Sequence, residues 1–220
     1  MYNFFNILAS PREVFEQIAD RPRWLLPMVF SAFVLFLIVW LGSCWHNLSE
    51  ALNWGRLLGP ALISPLIVGI VALGSTTFVY LLNLLLRGET TSSAGFKTIL
   101  SVNVHCGIIF LLGEVVNFLL VRANLLGDSG FPLPNRFPTG LDVLLLGVDD
   151  PNLYLTIILH STSVFVVWYL LVLSLGIKTV TGSSRPRSFI IVVALWCAAV
   201  MTAVGIAYAA GGTTTIRVMI

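Results

Sequence analysis

Apolar residues along this chain fall into five long runs, at roughly 24–46, 57–86, 94–121, 152–181 and 188–210, with polar gaps between them. Each run reaches or exceeds the roughly 20 residues that an α-helix needs to cross about 30 Å of hydrocarbon. The pattern predicts an all-α membrane protein. A bundle of five transmembrane helices would fill residues 24–220, preceded by a short amphipathic helix in a cytoplasmic segment at 1–23.

That first segment reads MYNFFNILASPREVFEQIADRPRW through Trp24. Ser10 suits an N-cap, Pro11 the first helical position, and Glu13 stands three residues after the cap, which together form a capping-box start. Val14, Phe15 and Ile18 share one face, and Arg12, Glu16 and Asp20 point elsewhere. The helix over residues 10–20 is therefore expected to lie on the cytoplasmic membrane surface, to cap the underside of the bundle, or to do both. Trp24 marks the interface at the first crossing.

Features inside the runs and gaps refine this layout. Pro60 and Pro65 suggest that the second helix is kinked at its outer end or begins late. The gap RGETTSSAGFK between Arg87 and Lys97 reads as a cytoplasmic loop, with Ser92 or Ser93 as a cap for the third helix. The gap after Arg122 is the longest, and Pro132, Pro134 and Pro138 block a long helix there. It holds Asp128, Asp142, Asp149 and Asp150, and 141–146 fits a short interfacial helix. On the fifth helix Ala194, Ala198, Thr202, Gly205 and Ala209 recur at three- and four-residue steps, the pattern of close packing inside a bundle or of a contact between copies.

Charge sets the orientation. Eight Lys and Arg fall on the side of the N-terminus and four on the other. Cytoplasmic loops retain positive charge, so the expected topology is N-terminus inside and C-terminus outside. Composition agrees with a membrane location: 57% of the residues are hydrophobic and 10% charged, against about 25% charged in soluble domains. The net charge of +2 argues against a nucleic-acid partner. Cys44, Cys106 and Cys197 lie within the runs and read as small packing residues. No metal-ligand spacing and no cofactor motif occurs.

Polar groups at membrane depth are the candidate functional residues. Glu114 is the acidic residue well inside a run, and ionisable groups there are costly enough to suggest a role. Asn103, Glu114 and Asn117 share a face of the third helix, whereas His105 points elsewhere. Glu114 and His160 sit at similar depth on the third and fourth runs and are expected to face each other, directly or through water. Asn83 and Asn103 lie nearer the cytoplasmic side and are expected to meet in the same way. No HExxH, GxSxG or Walker motif is present, so catalysis is unsupported.

Three stretches resemble the Yip domain family of Ypt/Rab-interacting membrane proteins and their prokaryotic relatives. SPREVFEQIADRPRW is similar to the lead-in of the prokaryotic members. GETTSSAGFKTILSVNVHCGIIFLLGEVVN is similar to their second loop and third crossing. LYLTIILHSTSVFVVWYLLVLSLGIKTVTGSSRPRSFIIVVALW matches their late pattern, here marked by Trp168, Gly176, Lys178 and the basic loop at 185–187. The resemblance implies five membrane helices, a cytoplasmic N-terminus and no enzymatic activity. Eukaryotic members are associated with Rab GTPases and with vesicle traffic between endoplasmic reticulum and Golgi, and carry a long cytoplasmic region before the first crossing. About 23 residues precede it here, so the resemblance implies a prokaryotic-type member in the inner membrane rather than a GTPase-linked one.

Two functions follow as expectations. The leading one is a non-enzymatic scaffold that organises the bilayer or membrane-protein partners through the N-terminal helix and cytoplasmic loops. The odd helix surface of a five-helix bundle also leaves room for a homodimer contact. The alternative is a small transporter, channel or lipid-translocating protein whose polar cavity is lined by Glu114, His160, Asn103 and Asn117.

Overall fold

The computed structural model describes residues 4–44, 54–86, 94–123, 137–146, 148 and 151–209. Among them a 3-10 turn at Phe4–Leu8 leads into α1 (Pro11–Asp20) and α2 (Leu25–Cys44), followed by α3 (Trp54–Leu85) and α4 (Phe96–Arg122). A second 3-10 turn at Leu141–Leu145 precedes α5 (Leu153–His160), α6 (Val164–Thr181) and α7 (Arg185–Ala209). Five of these helices, α2, α3, α4, α6 and α7, are long and apolar enough to cross a membrane. Large apolar side chains such as Leu25, Leu62, Leu66, Val164 and Met201 project outward from them. In water that surface would be a large unfavourable area, and in a bilayer it is the part that meets acyl chains.

α4 is the central post. It packs against α1, α2, α3 and α6, and most of the first half of it is buried. The core is built where α1, α4, α6 and α7 meet, from Phe15, Ile99, Val102, Ile109, Leu173, Ile177 and Ile191, all fully buried. Two glycines set the spacing on either side of the α4–α6 contact. A Cβ on Gly176 would stand 2.5 Å from Val102 Cγ1 and 2.9 Å from the Phe15 ring. One on Gly113 would stand 2.8 Å from Phe165 Cβ. With hydrogens at these positions the helices approach closely, which is how association gains van der Waals contact in lipid.

α1 is not a helix whose apolar face rests in lipid. Val14, Phe15 and Ile18 are each no more than 2% exposed and pack against α4 and α6. The polar face, with the exposed Arg12–Glu16 ion pair at 2.9 Å, turns outward. Ser10 holds the N-cap position but makes no side-chain capping bond, so Pro11 carries the start.

Several other expectations change. The fourth run is two helices, because the chain breaks at Ser161-Thr162-Ser163. α3 starts at Trp54 and runs through Pro60 and Pro65, so it does not begin late. The cap of α4 is Gly95, while Ser92 and Ser93 lie outside the described residues. The expected short helix at 141–146 is a 3-10 turn; Asp128, Pro132, Pro134, Asp149 and Asp150 lie outside the described residues. The later part of the small-residue stripe of α7 does not pack inside the bundle, while Ala194 and Ala198 are half-buried. Thr202, Gly205 and Ala209 are exposed, and a Cβ on Gly205 would meet nothing within 4 Å. The buried side of α7 is carried by Ser188, Ile191, Val192, Val200 and Ala207 instead.

Candidate functional site

The polar residues form separate clusters, and each joins helices. Asn103 occupies the first. Its Nδ2 lies 2.6 Å from Ser75 Oγ, 3.1 Å from Thr76 Oγ1 and 3.3 Å from the Ala72 carbonyl on α3. Its Oδ1 accepts from Tyr169 Oη of α6 at 2.9 Å. One buried amide thus ties α3, α4 and α6, with its donors and acceptor used. His105, fully buried on α4, sets Nδ1 at 2.6 Å from the Ser101 carbonyl one turn back. Ser101 in turn donates to the Arg23 carbonyl at 3.0 Å, fastening the lead-in of α2.

Asn83 and Asn103 do not meet. Asn83 is held by Arg187 of α7, whose Nη2 donates to the Asn83 carbonyl at 2.6 Å and lies 3.3 Å from Oδ1. At the opposite end of the bundle, Arg122 donates to the Gly42 carbonyl near the end of α2 at 2.9 Å. Both arginines serve the same physical purpose. The last carbonyls of a helix lack intrahelical donors and carry partial negative charge, so a guanidinium is a suitable partner.

The second cluster surrounds the break between α5 and α6. His160 does not pair with Glu114. Its Nδ1 lies 2.6 Å from Oδ2 of Asp142, which is fully buried. Asp142 Oδ1 accepts the Gly140 N–H at 2.8 Å. The expected pairing rested on a continuous fourth helix; the break re-aims His160 toward the segment that precedes it. That segment is fixed at further points. The Phe137 N–H donates to Asn117 Oδ1 of α4 at 2.7 Å, and the Val164 N–H reaches the Thr139 carbonyl at 3.4 Å. Gly140 is so close to the break that a Cβ there would stand 2.8 Å from Ser163 N. Trp196 of α7 closes the far side by donating from Nε1 to the Ser161 carbonyl at 2.9 Å. Glu114 is half-buried on α4.

The hydroxyls at the break are engaged locally. Ser161 donates to the Ile157 carbonyl at 2.7 Å, Thr162 to the Leu159 carbonyl, and Ser163 Oγ accepts from Val166 N at 3.3 Å as the N-cap of α6. A histidine oriented by a carboxylate is two parts of a nucleophilic triad, but the third part must be a hydroxyl or thiol bonded to the ring. These hydroxyls satisfy backbone groups left by the break. Among the described residues no three His, Cys, Asp or Glu side chains converge as a metal would need. The arrangement orients and fastens.

Sequence reasoning missed Asp142 as a partner, gave Arg122 and Arg187 no contact across helices, and passed over Tyr169 and Thr76. The Ser-Thr-Ser cluster after His160 is the signal that could have revealed the break, since such clusters between periodic segments mark loops.

The family model of the Yip1 domain matches residues 5–207. A curated relative, "Membrane protein YknW" of Bacillus subtilis (strain 168), is 22% identical over 214 residues, covering 88% of this chain and 85% of the relative. No solved structure matches the chain. With a match that runs from the first 3-10 turn into the last turn of α7, this membrane protein belongs to the Yip1 domain family.

Proposed function

We propose that the protein is a non-enzymatic scaffold of a prokaryotic inner membrane, with the N-terminus cytoplasmic and the C-terminus outside, that organises membrane-protein partners. The observation that supports this best is the use to which its buried polar groups are put. Asn103, Asn83, Asn117 and His160 each bond a neighbouring element. Such bonds hold a fixed bundle rather than line a path. The docking surface in this reading is the outer face of α1. Its apolar side is locked into the core, and Arg12, Glu13, Glu16, Gln17 and Asp20 are exposed on a rigid mount. The transport alternative draws on one specific feature, the interrupted fourth run with its Asp142–His160 pair, since broken helices frame substrate sites in transporters.

Photo-crosslinkers placed at Glu13 and Gln17 in native membranes test the scaffold. Capture of a discrete membrane-protein partner is the expected outcome, and Glu114→Gln should leave that capture unchanged. Loss of a measured ion or lipid flux in proteoliposomes on Glu114→Gln, with no partner captured, would replace scaffolding by transport.

A further inference from the structure

An open groove of about 420 Å³ lies along the seam of α6 and α7, at the end where the two helices join. Leu171, Leu175 and Phe189 line its apolar length, and Lys178 and Arg185 stand at its rim. Leu171 and Phe189 are exposed on the helices' outward surface, so the groove opens toward the acyl chains rather than into the bundle. Neither cation forms an ion pair with a described carboxylate. The rim is also the N-terminus of the 25-residue α7, where partial positive charge adds to that of the side chains.

The turn beneath the rim is stiff. Gly182 takes φ 67°, closing α6 with a left-handed cap. Thr181, Ser183 and Ser188 form a buried chain of hydroxyls, with Thr181 Oγ1 2.9 Å from Ser183 Oγ and Ser183 Oγ 2.6 Å from Ser188 Oγ. Lys178 and Arg185 are therefore presented by a hairpin whose geometry does not depend on a ligand.

From this geometry we infer that the α6–α7 groove binds one anionic phospholipid, its phosphodiester held between Lys178 and Arg185 and its first acyl segments against Leu171, Leu175 and Phe189. Two facts select this ligand. An apolar trough continuous with a membrane-spanning surface matches an acyl chain, and two cations at its head that pair with none of the described carboxylates match a phosphate. Basic pockets between membrane helices on the cytoplasmic side take anionic headgroups for the same reason. The end of the bundle is the right one. Phe15 of α1 packs on Gly176, so the groove lies on the side of the N-terminal segment, which carries the greater share of positive charge. The site does not depend on the scaffolding role, since a bound lipid suits either function.

Native mass spectrometry of the whole protein in detergent, with equal amounts of phosphatidylglycerol and phosphatidylcholine, tests the inference. The wild type should retain phosphatidylglycerol in preference. Lys178→Gln and Arg185→Gln should each lower that preference about five-fold, the weight of one cation near a membrane phosphate. Lys178→Arg and Arg185→Lys should restore it, and Lys97→Gln at the same end of the bundle should change nothing. Equal retention of both lipids by the wild type would overturn the inference, and this arm needs no variant to fold. So would an undiminished preference in the Lys178→Gln/Arg185→Gln double variant. If an excess of inorganic phosphate displaces the lipid from the wild type and matches its thermal stabilisation, the site is one for a free anion and the lipid assignment fails. Crosslinking at α1 is a separate readout, so loss of the lipid site and loss of the scaffold are distinguishable.

Discussion

Phe15→Ala is the sharpest test of how α1 is held, because two arrangements of that helix predict different results. Phe15 is fully buried, and its ring lies against Gly176 and among Val102, Ile99 and Ile177. Truncating a buried Phe removes transfer free energy and leaves a cavity, typically 3–5 kcal/mol in all. α1 sits at the edge of the bundle and can settle into part of the space, so about 3 kcal/mol is the better figure here. For a chain of this size 1 kcal/mol moves Tm by about 2–4 °C, so the melting point should fall by roughly 6–12 °C. Gly176→Ala approaches the same contact from the other side. Its methyl would collide with both Phe15 and Val102, and overpacking of this kind costs about 1–3 kcal/mol. Combining the two removes one of the two collisions. The double variant should therefore be less destabilised than the sum by about 1 kcal/mol, within the coupling range of residues in contact. The assay is thermal unfolding in detergent, with hydrogen exchange of α1, α4 and α6 as the local readout. A Phe15→Ala protein that melts with the wild type, or strict additivity with Gly176→Ala, would refute the packed arrangement and leave α1 as a helix lying in the interface.

Asn103→Ala should destabilise the protein by about 2 kcal/mol, since four contacts to α3 and α6 are lost at roughly 0.6 kcal/mol each. Tyr169→Phe removes one of them and should cost about a quarter as much; equal losses in an unfolding titration would show that the amide is not the hub. Asp142→Ala leaves the Gly140 N–H and the His160 ring without their acceptor. It should cost about 1–3 kcal/mol and selectively raise hydrogen exchange at 137–146; unchanged exchange there would remove the pair from its fastening role. Asp142→Ala and His160→Gln should be non-additive, and Glu114→Gln with His160→Gln should add, a contrast that double-mutant cycles measure directly.

The parts of this architecture that were legible in the sequence are those fixed by sums and by local chemistry. Crossing a bilayer needs about 20 apolar residues whatever their order, so the five runs pointed to five long apolar helices, although the fourth run, from 152, holds its long helix only from Val164. The start of α1 was legible for a local reason, a proline suited to the first helical position followed by a one-sided apolar face. Tertiary partners were not, and His160 shows why. The depth assigned to His160 presumes an unbroken run from 152 to 181, and hydropathy averages over three hydroxylated residues without registering them. The Ser-Thr-Ser break adds a change of direction that no window sum contains, and the change brings His160 to Asp142, a residue that read as one of several loop acids. The later part of the small-residue stripe of α7, from Thr202 to Ala209, departs from expectation differently. Gly and Ala permit close approach on whichever face they occupy, but lipid accepts the same face equally well. What decides is where a bulky partner stands opposite, and Phe165 stands opposite Gly113 and Phe15 opposite Gly176, while Gly205 faces nothing within reach. A glycine therefore marks a helix contact only when paired with a side chain of complementary size on another element. Gly176 meets that condition through a helix that never crosses the membrane, so the α1 mount and the α4–α6 crossing share one contact, and a change in either should be felt by both.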